Sequence, residues 1–234
     1  MHFKILDYKT FKQLYMLLIG LTDIHGKADN IDKIANILAK ADAVIISGDI
    51  THFGNKNEAA IILQGVKKYN TNIFAVSGNC DYPGVEKYLT ESGYNLNGTS
   101  KSFNGFTLIG LGGSLPCPGR TPNEFSENEL EAVLLSSISQ ISVGKNLILV
   151  SHQPPVNTVN DEVSNGIHVG SQAVRSFIEK YQPLICFTGH IHEGVGIDTI
   201  GKTKLANPGP LWYGKYTHAE ISNGQLTKLE IYRV

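Results

Sequence analysis

Apolar residues along this chain fall into two recurring patterns, short unbroken runs and stripes spaced three or four positions apart. Met16–Leu21, Ala43–Ser47 and Ile73–Ser77 are runs rich in aliphatic and β-branched residues, and they predict buried strands. Between them, Ala28–Ala41 carries Ile31, Ile34, Ala35, Leu38 and Ala41 on one helical face, and Asn57–Tyr69 carries Ala59, Ile62, Leu63 and Val66. Pro83–Ser92 predicts a further helix, with proline in the first turn, where a missing N–H is tolerated. This rhythm predicts parallel strands joined by right-handed crossovers.

The pattern then changes. Asn104-Gly105 inside Ser102–Thr107 predicts a tight hairpin. Phe106–Leu111 reads as a strand, followed by a proline-rich loop and a helix near Glu127–Ile141. Leu147–Val150 and Leu184–Thr188 predict two more buried strands, separated by a helix over Ser171–Tyr181. Four strands close the chain, Gly194–Ile200, Lys204–Asn207, Tyr216–Ser222 and Gln225–Val234, the last two joined at Asn223-Gly224. Strand–helix units followed by a strand-rich tail predict an α/β fold of two packed sheets with helices outside. Residues 1–15 read as an extension preceding one domain over 16–234, and Met16 is an expected alternative start.

Composition narrows the class without naming a function. A chain of 234 residues with 41% hydrophobic and 18% charged residues is globular and long enough for a substantial core. Its formal charge of -1 disfavours nucleic acid as the main partner, because binding duplex phosphate favours a basic excess. Three cysteines without a CxxC pair fit a reducing compartment. The apolar run Tyr15–Leu21 is too short for a membrane span, and no cleavage site of small residues follows it, so a cytoplasmic protein is expected.

The chemistry lies just past the strand ends. Asp23 and His25 follow the first strand, Asp49 the second, Asn79, Cys80 and Asp81 the third, His152 a later one, and His190 and His192 the last buried run. Ligands of open α/β sheets sit beyond the carboxyl ends of the strands, so these groups are expected to converge. Imidazole nitrogens mixed with hard oxygens suit Mn, Fe, Zn, Co or Ni better than Mg or Ca. Asp23, His25, Asp49, Asn79, His152, His190 and His192 are too many for one four-coordinate zinc and suit two divalent cations sharing a carboxylate.

In this order, DxH, GD, GNxD, SHxPP and GHxH resemble the calcineurin-like metallophosphoesterase superfamily, with a match over about Met16 to Trp212. The resemblance implies two mixed sheets in a sandwich flanked by helices (αββα). It also implies a phosphoesterase, most simply a phosphodiesterase, that attacks a small phosphate ester or nucleotide with a metal-bridging hydroxide. Asp23, His25 and His192 would hold one cation, with Mn the first choice, and Asn79, His152 and His190 the other, with Asp49 bridging. Asn207-Pro208-Gly209 resembles the family's closing turn and is expected to support the site.

One position departs from the family pattern. Phosphatases of the family usually carry His where this chain has Cys80, and that His protonates the leaving group or steadies the transition state. The GNCD variant resembles a branch containing small prokaryotic phosphodiesterases and the retromer scaffold subunit. A metal-binding interaction module is therefore the alternative to an enzyme. A thiol with a reference pKa of about 8.5 is a poor acid with short reach. Two histidines are candidate replacements: His52, close behind Asp49, and His168, expected to contact the substrate phosphate just before a helix N-terminus.

Overall fold

The computed structural model describes residues 15–139 and 146–234. Its elements run β1 (Tyr15–Leu21), α1 (Asp29–Lys33), α2 (Ala35–Lys40), β2 (Ala43–Ser47), α3 (Lys56–Lys67), β3 (Ile73–Val76), α4 (Pro83–Glu91), β4 (Ser100–Phe103) and β5 (Phe106–Leu111). They continue with α5 (Glu127–Ile138), β6 (Leu147–Ser151), β7 (Glu162–Val163), β8 (Ile167–His168), α6 (Gln172–Tyr181), β9 (Ile185–Thr188), β10 (Gly196–Ile200), β11 (Thr203–Asn207), β12 (Lys215–Ser222) and β13 (Gln225–Arg233).

Side chains of a strand alternate between its two faces, and here both faces are apolar because both are covered. Met16, Leu18 and Ile45 point to a layer shared with Ile148, Val150, Ile185 and Phe187, which joins the two sheets. Their neighbours Leu17, Ile19, Val44 and Ile46 face Leu38, Leu63, Val66 and Leu89 of the first set of helices. Leu147, Leu149 and Cys186 face Leu130 and Leu134 of α5 and Val174 and Ile178 of α6. The result is the expected αββα sandwich. Gly20 sits against the facing sheet, and a Cβ there would stand 2.7 Å from the Phe187 ring.

The first sheet has the order β13-β12-β1-β2-β3 and the second β10-β11-β9-β6-β5-β4. β1, β2 and β3 are parallel, whereas β12 lies antiparallel to β1 and β13. β5, β6, β9 and β11 are parallel, with β4 and β10 antiparallel at the edges. Both sheets are therefore mixed. Both Asn-Gly turns form as expected, with positive φ at Asn104 and Gly105 (47° and 81°) and at Asn223 and Gly224 (52° and 77°).

Some expectations need correction. The single helix expected over Ala28–Ala41 is two short ones, interrupted where Ile34 takes φ -99° and ψ 11°. Its N–H divides between the Asn30 and Ile31 carbonyls, so the turn tightens and the axis breaks. The Asn30 amide meanwhile donates to the carbonyls of Leu211 and Trp212, tying α1 to a distant loop. Tyr15 already belongs to β1, while the rest of the expected extension, residues 1–14, lies outside the described residues. The end of the helix expected near Glu127–Ile141 also lies outside them. The β7–β8 hairpin was not expected, since four residues carry too little pattern to read.

Candidate metal centre

The segments after β1, β2, β3, β6 and β9 converge at the carboxyl ends of the strands, where the chain turns sharply. Asp23, His25, Asp49 and His190 all take positive φ, between 47° and 68°. Such conformations cost on the order of 1–3 kcal/mol each and persist only when the surroundings impose them. Glycines make the space: a Cβ on Gly78 would meet Asp49 Oδ1 at 2.0 Å, and one on Gly48 would meet His152 Nδ1 at 2.4 Å. On Gly189 it would meet Thr22 Oγ1 at 1.9 Å.

Asp49 is central. Its Oδ2 lies 3.3 Å from His25 Nε2 and its Oδ1 lies 3.5 Å from His152 Nε2, so one carboxylate faces both sides of the site. Asp23 Oδ1 lies 3.4 Å from His192 Nε2 and 3.9 Å from His25 Nε2. The backbone N–H of His190 points at the same carboxylate, and the His190 ring lies 5.1 Å from that of His152. Asn79 Oδ1 stands 2.8 Å from His152 Nε2. The structure thus brings together all seven of the residues expected as ligands.

Electrostatics mark the cluster as unusual. Burial pushes the Asp49 carboxyl up to about 7; the Asp81 and Asp23 charges act the same way and His152 opposes them. Burial works against the Asp23 charge too, but the His192 hydrogen bond and the His152, His192 and His25 charges hold it at about 2. Burial lowers His25 to about 4 and, with His152 beside it, His190 to about 3, so both rings are neutral at pH 7. Burial also lowers His192, yet the hydrogen bond and charge of Asp23 leave it raised.

The donor set fits divalent cations on the evidence of two atoms. His25 Nε2 is buried, aimed at two carboxylates, and makes no hydrogen bond. His152 Nδ1 lies 2.7 Å from the Ser47 carbonyl, so it carries the proton, and a neutral ring then presents a lone pair at Nε2. That lone pair faces another, on Asn79 Oδ1. Two electron-pair donors pointed at each other suit a cation, not a hydrogen bond. Asp23, His25 and His192 form one group whose ligand atoms all lie within 4.8 Å of one another, and Asp23, Asp49 and His152 form another.

The remaining candidates separate. Cys80 is buried, its N–H donates to Asp49 Oδ1, and it groups with His25 and Asp49. Burial and the Asp49 charge push its thiol far up. His52 is exposed and stacks edgewise on His25, Nδ1 to Nδ1 at 3.3 Å. His168 lies on β8 with Nδ1 2.8 Å from Asp161 Oδ1, and none of its hydrogen bonds or ring contacts among the described residues reaches the seven. The helix N-terminus behind it is occupied: Glu127 accepts the N–H groups of Gln172 and Ala173 and the Ser171 hydroxyl.

Several supports surround the centre, of which sequence reasoning gave Asp81 and Trp212 no role. Asp81, buried, accepts N–H groups from Ile50, Thr51 and Gly78 and so knits the second and third strand ends together. Trp212 packs 5.1 Å from both the His25 and the His192 ring, with Lys27 over its face. That it is the only tryptophan, close behind Asn207-Pro208-Gly209, was the available signal. The Asn207 amide donates to the Ile191 carbonyl, holding the GHIH loop as its motif suggested.

Several known proteins are similar to this chain. An uncharacterized protein of Methanocaldococcus jannaschii is 37% identical over 206 residues, covering 86% of this chain and 92% of that one. A "probable cyclic nucleotide phosphodiesterase" of Ruthia magnifica is 26% identical, covering 84% of each chain. A "probable glycerophosphodiester phosphodiesterase" of Arcobacter nitrofigilis is 27% identical over 75% of this chain and 66% of that one. The crystal structure of TT1561 of Thermus thermophilus has the same fold, with a TM-score of 0.71 at 17% identity over 93% of this chain and 98% of that one. No helix among the described residues is long and apolar enough to cross a membrane. The profile of one family spans residues 16–194, from the first buried strand through both histidines of GHIH, and the chain belongs to it: the calcineurin-like phosphoesterases.

Proposed function

We propose that the protein hydrolyses a small phosphodiester at a centre of two divalent cations. Asp23, His25 and His192 would hold one cation, Asn79, His152 and His190 the other, and Asp49 both. The single observation that carries this reading is Asp49, whose two oxygens face histidines on opposite sides. The cations, with manganese the first choice, supply positive charge against the phosphoryl oxygens and acidify water.

The chain's own groups set what the reaction can be. With its Nδ1 against His52, His25 keeps Nε2 free as a donor, and the Ser47 carbonyl does the same for His152. Cys80 keeps its proton near pH 7, so it supplies neither a thiolate nucleophile nor an efficient acid. Alkyl phosphomonoesters, whose leaving groups need an acid, are then poor substrates, and phosphodiesters with better leaving groups are favoured. Two relatives named as phosphodiesterases support the same choice. His52, exposed beside His25, is assigned to the substrate side of the centre, and His168, held by Asp161, stays the candidate contact for the substrate phosphate.

A manganese-loaded screen across phosphodiesters, nucleotides and phosphomonoesters tests the proposal, with Asp49→Asn expected to lose most turnover. Tight binding of two cations without turnover of bis-p-nitrophenyl phosphate or any of these esters would instead make the protein a metal-binding interaction module.

A further inference from the structure

The loop between β5 and α5 meets the centre through side chains whose hydrogen-bond polarity is dictated by their chemistry. Asn79 Oδ1 faces His152 Nε2, and Asn79 Nδ2 lies 3.1 Å from Thr121 Oγ1. The same hydroxyl lies 2.7 Å from Glu124 Oε1, which also accepts the N–H groups of Thr121 at 2.6 Å and Cys117 at 3.1 Å. Burial works against the Glu124 charge, but these hydrogen bonds and the Arg120 charge together hold the carboxyl below its usual range.

An ionised carboxylate only accepts. The Thr121 proton therefore goes to Glu124, and the hydroxyl has only its lone pairs to offer Asn79. Asn79 must answer with its NH₂, which turns its oxygen toward His152. Flipped over, the amide would set two acceptors 3.1 Å apart. Asn123 anchors the backbone beneath, its N–H donating to the Asn79 carbonyl at 3.1 Å and its amide to the Gly78 carbonyl at 3.0 Å. The other ligand the loop touches is His190, whose Nε2 lies 3.7 Å from Cys117 Sγ. Among the described residues, no hydrogen bond or ion pair links the loop to Asp23, His25 or His192.

We infer that Thr121 and Glu124 are positioning residues that lock the Asn79 amide with its oxygen toward one cation, so that this loop governs occupancy of that cation and not of the other. The inference rests on the two-cation reading above. Its consequence is selective: disturbing the loop leaves a protein that holds one cation firmly and the other poorly. Loss of an outer hydrogen-bond partner of a metal ligand typically weakens the metal 10–100-fold.

The test is manganese binding by calorimetry, with metal analysis after dialysis, on wild type, Thr121→Val, Thr121→Ser and Glu124→Ala. Wild type is expected to bind two ions. Thr121→Val keeps the shape but cannot accept, so one binding step should weaken by about 10–100-fold while the other holds. Thr121→Ser should restore that step, which a loss of packing alone would not predict. Glu124→Ala should weaken the same step, and it stands in should Thr121→Val not fold. Two undiminished steps in Thr121→Val, or equal weakening of both, overturns the inference. A wild type that binds fewer than two ions overturns the two-cation reading itself, and the inference falls with it.

Discussion

Replacing Gly78 by alanine displaces the carboxylate proposed to bridge the two cations. Gly78 does not use the left-handed region, so the backbone accepts alanine there and only the neighbours object. The new methyl would stand 2.0 Å from Asp49 Oδ1, 2.2 Å from its backbone N and 2.6 Å from Cγ, whereas ordinary contact begins at 3.4 Å. Asp49 must retreat by more than about 1 Å, and it cannot do so by a rotamer change alone because its own N–H is among the atoms struck. A misplacement of about 1 Å costs roughly 10²-fold in rate, and overpacking of this kind typically costs about 1–3 kcal/mol. For a chain of this length that is a fall in Tm of about 2–12 °C. The assay is kcat/KM on bis-p-nitrophenyl phosphate at saturating manganese, beside thermal melts of the metal-free protein. Wild-type kcat/KM with full cation loading in Gly78→Ala would refute the central role given to Asp49.

Three other outcomes are expected. The sole tryptophan packs against His25 and His192, so the fluorescence of Trp212 should change as cations bind; a constant signal while metal analysis shows loading would contradict the placement of those rings. In the metal-free protein, half-buried His190 and His25 titrate at about 3 and 4, below the 6.5 of a free imidazole. The unfolded chain therefore takes up protons first, and these rings cost stability as pH falls from 6.5 toward 3. Thermal melts of His190→Gln should accordingly lose less Tm than wild type over that window, and parallel curves would argue against a neutral ring there. His52→Ala should lower kcat/KM on a phosphodiester more than His168→Ala, because His52 touches a ligand ring and His168 touches Asp161; the reverse order would relocate the substrate.

Most of the frame was legible because burial leaves a local trace. β2 reads as Ala43, Val44, Ile45, Ile46 and Ser47, a run that only a strand covered on both faces can use, and it is buried throughout. The seven candidate ligand positions were legible for a related reason: each follows such a run directly, so their convergence could be argued from topology. What could not be read depends on partners distant in sequence. The amides ahead of α6 looked free for an anion, yet Glu127, 45 residues before Gln172, takes them. Thr121 and Glu124 sit in a loop whose own pattern says only proline and turn, and their meaning comes from Asn79, 42 residues before Thr121. Beside the break at Ile34, Asn30 is tied to Leu211 and Trp212, a link that no helical periodicity records.

The order of strands in the first sheet has a consequence for how the molecule is made. β1 lies at the middle of that sheet, flanked by β2, which follows closely, and by β12, which emerges from the ribosome about 200 residues later. Until then Asp23 and His25 hang from a strand with one bare edge, and the loop carrying Trp212 is not yet present to cover them. Pairings so far apart in the chain slow folding. The proposed cation centre should therefore be completed only once β12 and the Trp212 loop have emerged, and a translation pause before β12 would be the stage most exposed to aggregation.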